Sequence, residues 1–177
     1  MARITIGGNI KDAITRDLVK GFASLGYNAA RDAYKEHSFK HRTHNLHDSY
    51  GSAVYLDGVL VEDSIRYVNR ARSSKIDRRS RKTGRQELTE FLKTAWIVRK
   101  SDHITVLVVA AMWYGKILES KGYTVLNNNT IKASFAKNFD TYITPVLQKY
   151  GLGSMKSVLR RGIGIDKEYY WTGGGRG

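Results

Sequence analysis

Two long stretches of apolar residues at helical spacing, one near each end of the chain, constrain the fold more than any other feature. The first predicts a helix over residues 10–36, and the second predicts a helix from Asn129 or Thr130 that ends at Gly151. Pro145 lies inside the second stretch and should kink or break it, because proline lacks the N–H of the helical hydrogen bond. The predicted core-facing residues are Ile10, Ile14, Leu18, Phe22, Leu25, Ala29 and Ala33, followed by Ile131, Phe135, Phe139, Tyr142, Val146 and Tyr150.

The segment between these helices contains the signals of β-structure. Asp57-Gly58 is a strong two-residue turn signal and predicts a hairpin with strands at 52–57 and 59–68. The continuous β-branched run at 103–111 is typical of a strand buried on both faces. Together these elements predict an α+β fold, in which a small, mostly antiparallel sheet is packed on one face by the long N-terminal and C-terminal helices.

Two shorter helices are also predicted. Thr83 and Gln86 have the spacing of a capping box, and they precede a helix whose apolar face is formed by Leu88, Phe91, Leu92 and Ala95. The stretch "WYGKILESKGY" predicts a short helix that Gly122 ends as its C′ residue.

The chain of 177 residues suits one compact domain with peripheral segments. Residues 1–150 are expected to form that domain, in which residues 69–100 are a basic insert followed by the short helix. Residues 151–177 are glycine-rich, basic and aromatic. They predict an extended tail that has no core of its own and becomes ordered against a neighbouring molecule.

A formal net charge of +14 implies an anionic partner, which could be nucleic acid, an acidic protein surface or lipid headgroups. The charge is concentrated between residues 66 and 85, where nine Arg or Lys residues stand against one acid, Asp77. Such a block is expected to be a mobile loop until a partner neutralises it, although an ordinary solvated loop has the same composition. Tyr67 is its single aromatic residue, so phosphate contact or docking into an acidic protein groove is favoured over base stacking. The candidate partner-facing residues are Arg66, Arg70, Arg72, Lys75, Arg78, Arg79, Arg81, Lys82 and Arg85.

Several classes of protein are excluded by what the chain lacks. Without cysteine there can be no disulfide, thiolate zinc site or thiol nucleophile. No apolar run approaches the roughly 18 residues of a membrane span, so no membrane partner is expected. Ser49, His47 and Asp48 are the residue types of a catalytic triad, but side chains adjacent in sequence do not converge as a triad does. The sequence therefore predicts neither an enzyme nor a bound cofactor.

Four of the five histidines lie between positions 37 and 47 and raise the question of a metal site. On a continuous helix His37, His41 and His44 would share one face, and imidazole is a good zinc ligand. Neighbouring basic residues disfavour a bound cation, and the thiolates of most structural zinc sites are absent. The interpretation favoured by the sequence is polar surface or turn histidines without a metal.

Two stretches resemble a known family. In "HRTHNLHDSYGSAVYLDGVLV", the residues Arg42, Thr43, Asn45, Leu46 and Ser49 match the Arg-Thr-Gly-Asn-Leu-x-x-Ser-like segment of tailed-bacteriophage head–tail joining and tail-completion (neck) proteins, and His44 stands where glycine is usual. In "AMWYGKILESKGYTVL", the residues Tyr114, Glu119, Gly122 and Tyr123 are similar to a second segment of that family. The element order matches over about residues 8–150, whereas the insert at 69–100 and the tail depart from the family's compact form.

The resemblance implies a structural virion protein of the neck or tail-completion region. Identical subunits would form a ring, a hexamer or a dodecamer, around the DNA channel and join the portal side of the head to the tail. Expected partners are the portal or adjacent neck and tail proteins, with non-specific contact to viral DNA. The protein would reside in the virion, and in the host cytoplasm during assembly. The alternative is a free nucleic-acid-binding protein that grips phosphates with residues 66–85.

The matched residues are expected to build a structural corner between the first helix and the first strand. Leu46 would anchor it in the core, Thr43 and Asn45 would cap backbone groups, and Ser49 would bond the following turn. Arg42 would pair with an acid such as Glu119. In the tail, the residues expected to dock on a neighbouring subunit are Tyr169, Tyr170 and Trp171.

Overall fold

A computed structural model of the chain describes residues 8–40, 44–69, 75–94 and 104–156. The fold is α+β, as predicted, with an antiparallel sheet between helical layers. The helices are α1 (Gly8–Lys35), α2 (Asn45–Asp48), α3 (Gly84–Thr94), α4 (Gly115–Ser120), α5 (Asn128–Tyr142) and α6 (Thr144–Lys149), and the strands are β1 (Tyr50–Leu56), β2 (Val59–Leu60), β3 (Arg66–Tyr67) and β4 (Ile104–Ala110).

β1 is the central strand of the sheet. It pairs along its whole length with β4 on one side, and with β2 and then β3 on the other. The turn between β1 and β2 is formed by Asp57 and Gly58, with φ of 52° and 78°. Two successive positive φ values are those of the hairpin turn that the Asp-Gly pair predicts.

The second strand of the predicted hairpin, 59–68, is not continuous. A 3₁₀ turn at Glu62–Ser64 separates β2 from β3. Across this gap the Ser64 hydroxyl takes the place of a strand partner, because its Oγ accepts a hydrogen bond from the Val54 N–H at 2.8 Å. The strand is interrupted here because a side-chain hydroxyl bonds the backbone of β1, and strand propensity does not predict such a bond.

α1 packs on one face of the sheet, and α5 packs on α1. Val54 of β1 and Val106 and Val108 of β4 face this layer. The predicted apolar positions of α1 that are buried are Ile14, Phe22, Leu25, Ala29 and Ala33. Of the other two predicted positions, Leu18 is half-buried, and the side chain of Ile10 lies outside the described part.

Two glycines of α1 are sites of close approach. A Cβ on Gly26 would lie 2.7 Å from Cγ1 of Val106 on the sheet, and a Cβ on Gly21 would lie 2.8 Å from the Tyr142 carbonyl oxygen. Glycine costs about 1 kcal/mol relative to alanine in a helix interior. Here that cost is offset by close packing of α1 against its neighbours on two sides.

α3 covers the opposite face of the sheet. Its Leu88 and Leu92 are fully buried against Ala53 and Tyr55 of β1 and against Val109 of β4. Residues 84–94 of the segment expected to be an insert therefore form part of the core. Phe91 is half-buried, and Ala95 lies outside the described residues. The predicted capping box is confirmed: Thr83 N–H donates to Gln86 Oε1 at 2.8 Å, and Gln86 N–H donates to Thr83 Oγ1 at 3.3 Å.

The second long helix breaks at Ile143, one residue before α6 begins and two before Pro145. Asn127 caps its start, since its side chain accepts a hydrogen bond from the Asn129 N–H. From the break onwards the buried positions are Ile143 and Leu147, while Val146 and Tyr150 are half-buried. Tyr142, the last residue of α5, is also half-buried. The predicted core face holds for Ile131, Phe135 and Phe139, and Tyr142 packs partly buried against the same core. It is wrong for Val146 and Tyr150, because the helix is interrupted at Ile143 and the buried position beyond it is Leu147.

Packing continues beyond residue 150, where the tail was expected to begin. Gly151 ends α6 with φ of 70°. Leu152 then packs against the α1–α5 core, and Lys156 pairs with Asp140 at 2.8 Å.

Candidate functional site

The predicted corner lies between the end of α1 and the start of β1. α1 ends at Lys35, before the first histidine of the cluster, and α2 leads directly into β1. His44 immediately precedes α2 and has a φ of 60°, in the left-handed region. Glycine adopts this conformation without steric cost, whereas other residues seldom do. Arg42 and Thr43 of the matched segment lie outside the described residues.

Leu46 inserts from the corner into a hydrophobic cluster. It is 3% exposed and packs with Phe39, Tyr50, Met112 and Val125. Met112 and Val125 belong to the second stretch that resembles the neck family. The two stretches, far apart in sequence, therefore meet in one cluster.

Asn45 ties the corner to the start of α3. Its Oδ1 accepts a hydrogen bond from the Gly84 N–H at 3.3 Å, and a Cβ on Gly84 would lie 1.8 Å from the Asn45 carbonyl oxygen. A helix N-terminus leaves backbone N–H groups without intrahelical partners, and the buried Asn45 amide supplies an acceptor for one of them. The expected backbone-capping residue thus acts on a helix 39 positions away.

Two further hydrogen bonds hold the corner. Ser49 Oγ donates to the Leu46 carbonyl oxygen at 2.8 Å, so it bonds the turn that precedes it rather than the following one. Asn69, just after β3, donates from Nδ2 to the His47 carbonyl oxygen at 2.9 Å. The first bond is local and the second joins residues 22 positions apart, and both support the backbone where helix becomes strand.

The histidines are arranged around Tyr34 near the end of α1. His37 stacks on the Tyr34 ring at 4.9 Å between centroids, and His47 meets the same ring edge-on at 4.7 Å. His47 Nδ1 lies 3.0 Å from Asp48 Oδ1, with both side chains almost fully buried. His44 contacts the His47 ring at 5.8 Å. Because α1 ends at Lys35, these histidines do not share a helix face, and His41 lies outside the described residues.

No three His, Asp or Glu side chains among the described residues are grouped so that they could hold a metal ion. The described histidines instead make ring contacts and local hydrogen bonds.

Glu119 and Tyr50 join the second matched stretch to the body. Glu119 Oε1 accepts a hydrogen bond from the Leu126 N–H at 2.9 Å, and the Tyr50 hydroxyl donates to the Val125 carbonyl oxygen at 2.6 Å. Burial, with the nearby Glu119 charge as a smaller cause, raises the pKa of Tyr50 far above its ordinary value. Gly122 ends α4 with φ of 84°, which confirms its predicted role.

Residues 75–82, here called the basic turn, form a closed loop. The Asp77 N–H donates to the Lys82 carbonyl oxygen at 2.9 Å, and the Arg81 N–H donates to the Asp77 carbonyl oxygen at 2.8 Å. This part of the basic block, expected to be a mobile loop, is held by specific hydrogen bonds. Arg81 adopts a φ of 57°.

The Asp77 carboxylate anchors the basic turn to the protein body. Its Oδ1 accepts hydrogen bonds from the Arg79 N–H at 2.9 Å, the Ser80 N–H at 3.0 Å and the Trp113 indole Nε1–H at 3.1 Å. Partial burial raises the pKa of Asp77, but these hydrogen bonds outweigh it and leave the pKa below its ordinary value. Sequence reasoning missed Trp113. The sequence did carry a signal for the turn itself, because an aspartate side chain commonly accepts hydrogen bonds from the backbone N–H groups of the residues that follow it in a turn.

Other cations of the block pack on the domain. Arg79 lies over the Trp113 ring at 4.4 Å and Arg85 over the Tyr67 ring at 4.0 Å. Lys82 pairs with Glu90, and Arg66 donates to the Asp63 carbonyl oxygen at 2.7 Å. Lys75, Arg78 and Arg81 have exposed side chains. The remaining predicted residues, Arg70, Arg72, Tyr169, Tyr170 and Trp171, lie outside the described part of the chain.

No protein-family model matches the chain, and no curated protein and no solved structure matches it significantly. Within the described ranges, no helix is both long and apolar enough to cross a membrane.

Proposed function

We propose that this protein is a structural component of a tailed-phage neck that assembles as a ring around the DNA channel. The observation that carries the proposal is the conformation of His44. The chain is left-handed at residue 44, the position in the corner segment where this chain has histidine and the neck family usually has glycine. Glycine adopts a positive φ without steric cost, so the family's usual glycine would suit the backbone conformation found at residue 44.

A second observation supports the same proposal. The corner and the stretch at 111–126 pack on each other through Leu46 and Tyr50, and the Tyr50 hydroxyl bonds the Val125 carbonyl oxygen. If the two short sequence matches were due to chance, they would have no reason to lie together in the fold. Two matches that pack in one buried cluster are what a shared fold requires.

The contact between subunits is assigned to the outer edge of β4. Among the described residues this strand pairs with β1 alone, and its sequence ITVLVVA carries no charge or proline. The Ala111 N–H donates to the Ser49 carbonyl oxygen at 3.2 Å. Along β4, alternate residues direct their backbone groups towards β1 and away from it, and this bond identifies which residues do which. The N–H and C=O groups of Ile104, Val106, Val108 and Ala110 therefore point away from β1.

An uncharged edge strand is a ready template for another chain. In a closed ring each subunit offers one surface to one neighbour and a different surface to the other, so β4 would receive a segment of the adjacent copy. Ile117 and Tyr123, exposed at 42% and 44%, add apolar area in the α4 segment that follows β4. The ring number and the portal or tail partners follow from the family resemblance alone.

The primary experiment is the mass of the purified chain in solution, with class averages from negative-stain images. A hexamer or dodecamer with a central channel, formed without nucleic acid, is the expected result. A monomer at every concentration, in the presence of portal protein as well, would overturn the proposal.

A pair of proline variants tests the subunit contact. Val108→Pro removes an N–H that faces away from β1, so the domain should stay folded while the ring is lost. Leu107→Pro is the matched control, because its N–H belongs to the β1 ladder and its loss should unfold the domain. Rings of Val108→Pro that are as stable as those of the unaltered chain would exclude the β4 edge.

A truncation tests the role proposed for the tail. Because packing extends to Lys156, the chain is cut after that residue, which removes Tyr169, Tyr170 and Trp171. The truncated protein should keep its circular dichroism spectrum but fail to complement neck assembly. Normal particles from the truncated chain would rule out the tail as a docking arm.

A further inference from the structure

The basic turn has an unequal distribution of charge between its inside and its outside. Residues 75–82 contain five basic side chains and one acid. The acid, Asp77, points inward, where its carboxylate accepts hydrogen bonds from two backbone N–H groups and from the Trp113 indole. Its charge is used to close the turn and to attach it to the body, and the cations are left to face outward.

Four of the five cations of the turn, those from Arg78 to Lys82, fall into two groups. Lys82 pairs with Glu90, and Arg79 covers the Trp113 ring. Arg78 and Arg81 are exposed, and no described acid forms an ion pair with either. These two guanidinium groups are available to an external anion.

Arg81 also holds a strained backbone conformation. A φ of 57° is unfavourable for a residue with a Cβ, and glycine would adopt it without that cost. Strained residues persist where surrounding contacts impose them, and they cluster at ligand-binding sites. Here the closed hydrogen bonds at Asp77 impose the conformation, and an arginine occupies a position that glycine would fill more stably.

We infer that the basic turn is a preformed contact for the phosphodiester backbone of nucleic acid. Guanidinium groups bind phosphate through paired N–H donors, and a turn that is already ordered loses little conformational entropy on binding. This adds nucleic acid, as the partner of the basic turn, to the proposed function. The path of the DNA past the turn rests on the proposed ring, whereas binding by the turn itself does not.

Two features favour phosphate over the other anionic partners. Apart from Ile76, which is 63% exposed, the outward side chains of the turn are charged or polar. A protein interface usually has an apolar centre from which charged residues are depleted. Base stacking has no platform within this surface, because Trp113 is occupied by Arg79 and Asp77. Binding should therefore be independent of base sequence.

The test measures binding of the full chain to a short fluorescent DNA duplex of arbitrary sequence over a series of salt concentrations. The variant Arg78→Gln/Arg81→Gly removes both free cations and relieves the strained φ, so it should fold at least as stably. The matched control is Lys132→Gln/Lys137→Gln, which removes the same charge from the exposed face of α5, across the sheet from α3.

Loss of two phosphate contacts should reduce the slope of log K against log salt by about 2, and weaken binding roughly ten- to a hundred-fold near 0.1 M salt. The control should keep the slope of the unaltered protein. An equal loss in the control would mean that only total charge matters, and an unchanged turn variant would mean that the turn is not the contact. Either result overturns the inference.

Two further measurements separate this inference from the proposed ring. Poly-glutamate added as a competitor should displace DNA only weakly. Tighter binding to poly-glutamate than to DNA, lost in the turn variant, would assign the turn to an acidic protein instead. The mass of each variant without DNA reports ring assembly independently. Turn-dependent binding by a chain that stays monomeric, in the presence of portal protein as well, would uphold the turn and refute the ring.

Discussion

Asn45 and Gly84 are in direct backbone contact, although they lie on different helices. The Gly84 N–H donates to Asn45 Oδ1, and a Cβ at position 84 would come within 1.8 Å of the Asn45 carbonyl oxygen. Side-chain motion could not relieve this approach, because the position of a Cβ is fixed by the backbone of residue 84 and the oxygen belongs to the backbone of Asn45. The relationship places the start of α3 on the corner and thereby positions α3 over the sheet.

Substitution of Gly84 should therefore be severe. Gly84→Ala is expected to lower the free energy of unfolding by about 3 kcal/mol, the upper part of the usual range for overpacking. Urea denaturation measures this directly. Gly153→Ala is the control, because nothing lies within 4 Å of a Cβ there and its φ is not positive. Equal stability of the two variants would contradict the contact.

Leu46 should be the most sensitive side chain of the corner. Leu46→Ala leaves a cavity among Phe39, Tyr50, Met112 and Val125, and should destabilise the fold by about 2–5 kcal/mol. Val59→Ala, at an apolar but exposed position, should change stability by less than about 1 kcal/mol. Thermal denaturation of the two variants checks the difference, and a silent Leu46→Ala would reverse the assignment.

The left-handed conformation at His44 predicts a specific order of two variants. His44→Gly and His44→Ala both remove the imidazole, so they lose the same ring contacts. They differ in backbone freedom at a φ of 60°, where His44→Gly should be the more stable by about 1 kcal/mol. Chemical denaturation compares the two. If His44→Ala is the more stable, residue 44 does not have a positive φ in solution.

The basic turn should loosen in acid. The pKa of Asp77 is lowered in the folded protein, so the stability it contributes is present above the unfolded-state pKa and is lost as the pH falls through the folded pKa. The NMR signal of the Trp113 indole N–H should shift across that same range. In Asp77→Asn this pH-dependent shift should be absent. A shift midpoint above about 3.9, the ordinary aspartate value, would contradict the lowered pKa.

Alkaline pH should destabilise the fold through buried tyrosines. Burial raises the pKa of Tyr55 to about 12, and its hydroxyl donates to the Leu92 carbonyl oxygen. Because the folded pKa lies above the unfolded one, this stability is complete below a pH of about 10 and is lost as the pH rises towards 12. Denaturation midpoints measured between these values should fall less steeply for Tyr55→Phe. An unchanged slope would assign the alkaline loss to other groups.

Features that depend on a few neighbouring residues were determined by the sequence alone. The Asp57-Gly58 turn, the Thr83–Gln86 capping box and the C′ role of Gly122 each follow from contacts within about one helical turn. The core-facing side of α1 could also be predicted from the sequence, since a long helix repeats its apolar pattern several times. The α+β class followed from these elements together.

Other features required contacts between distant segments, and tertiary structure decided them. Ser64 interrupts the second hairpin strand because its hydroxyl reaches the Val54 N–H. The break before Pro145 could be located, but the residues buried after it depend on how α6 meets α1. Hydrophobic periodicity reports which positions are apolar, and not the direction in which a broken helix resumes.

The same distinction between local and distant contacts applies to the candidate site. The sequence pointed to the corner through a short motif and to the basic block through its charge, but it could not show that Asn45 reaches Gly84, or that Asp77 joins Trp113, 36 residues away. A charge count treats all nine cations of the block alike. Only the folded chain distinguishes Arg79 and Lys82, which contact Trp113 and Glu90, from Arg78 and Arg81, because ring contacts and ion pairs are set by which segments the fold brings together.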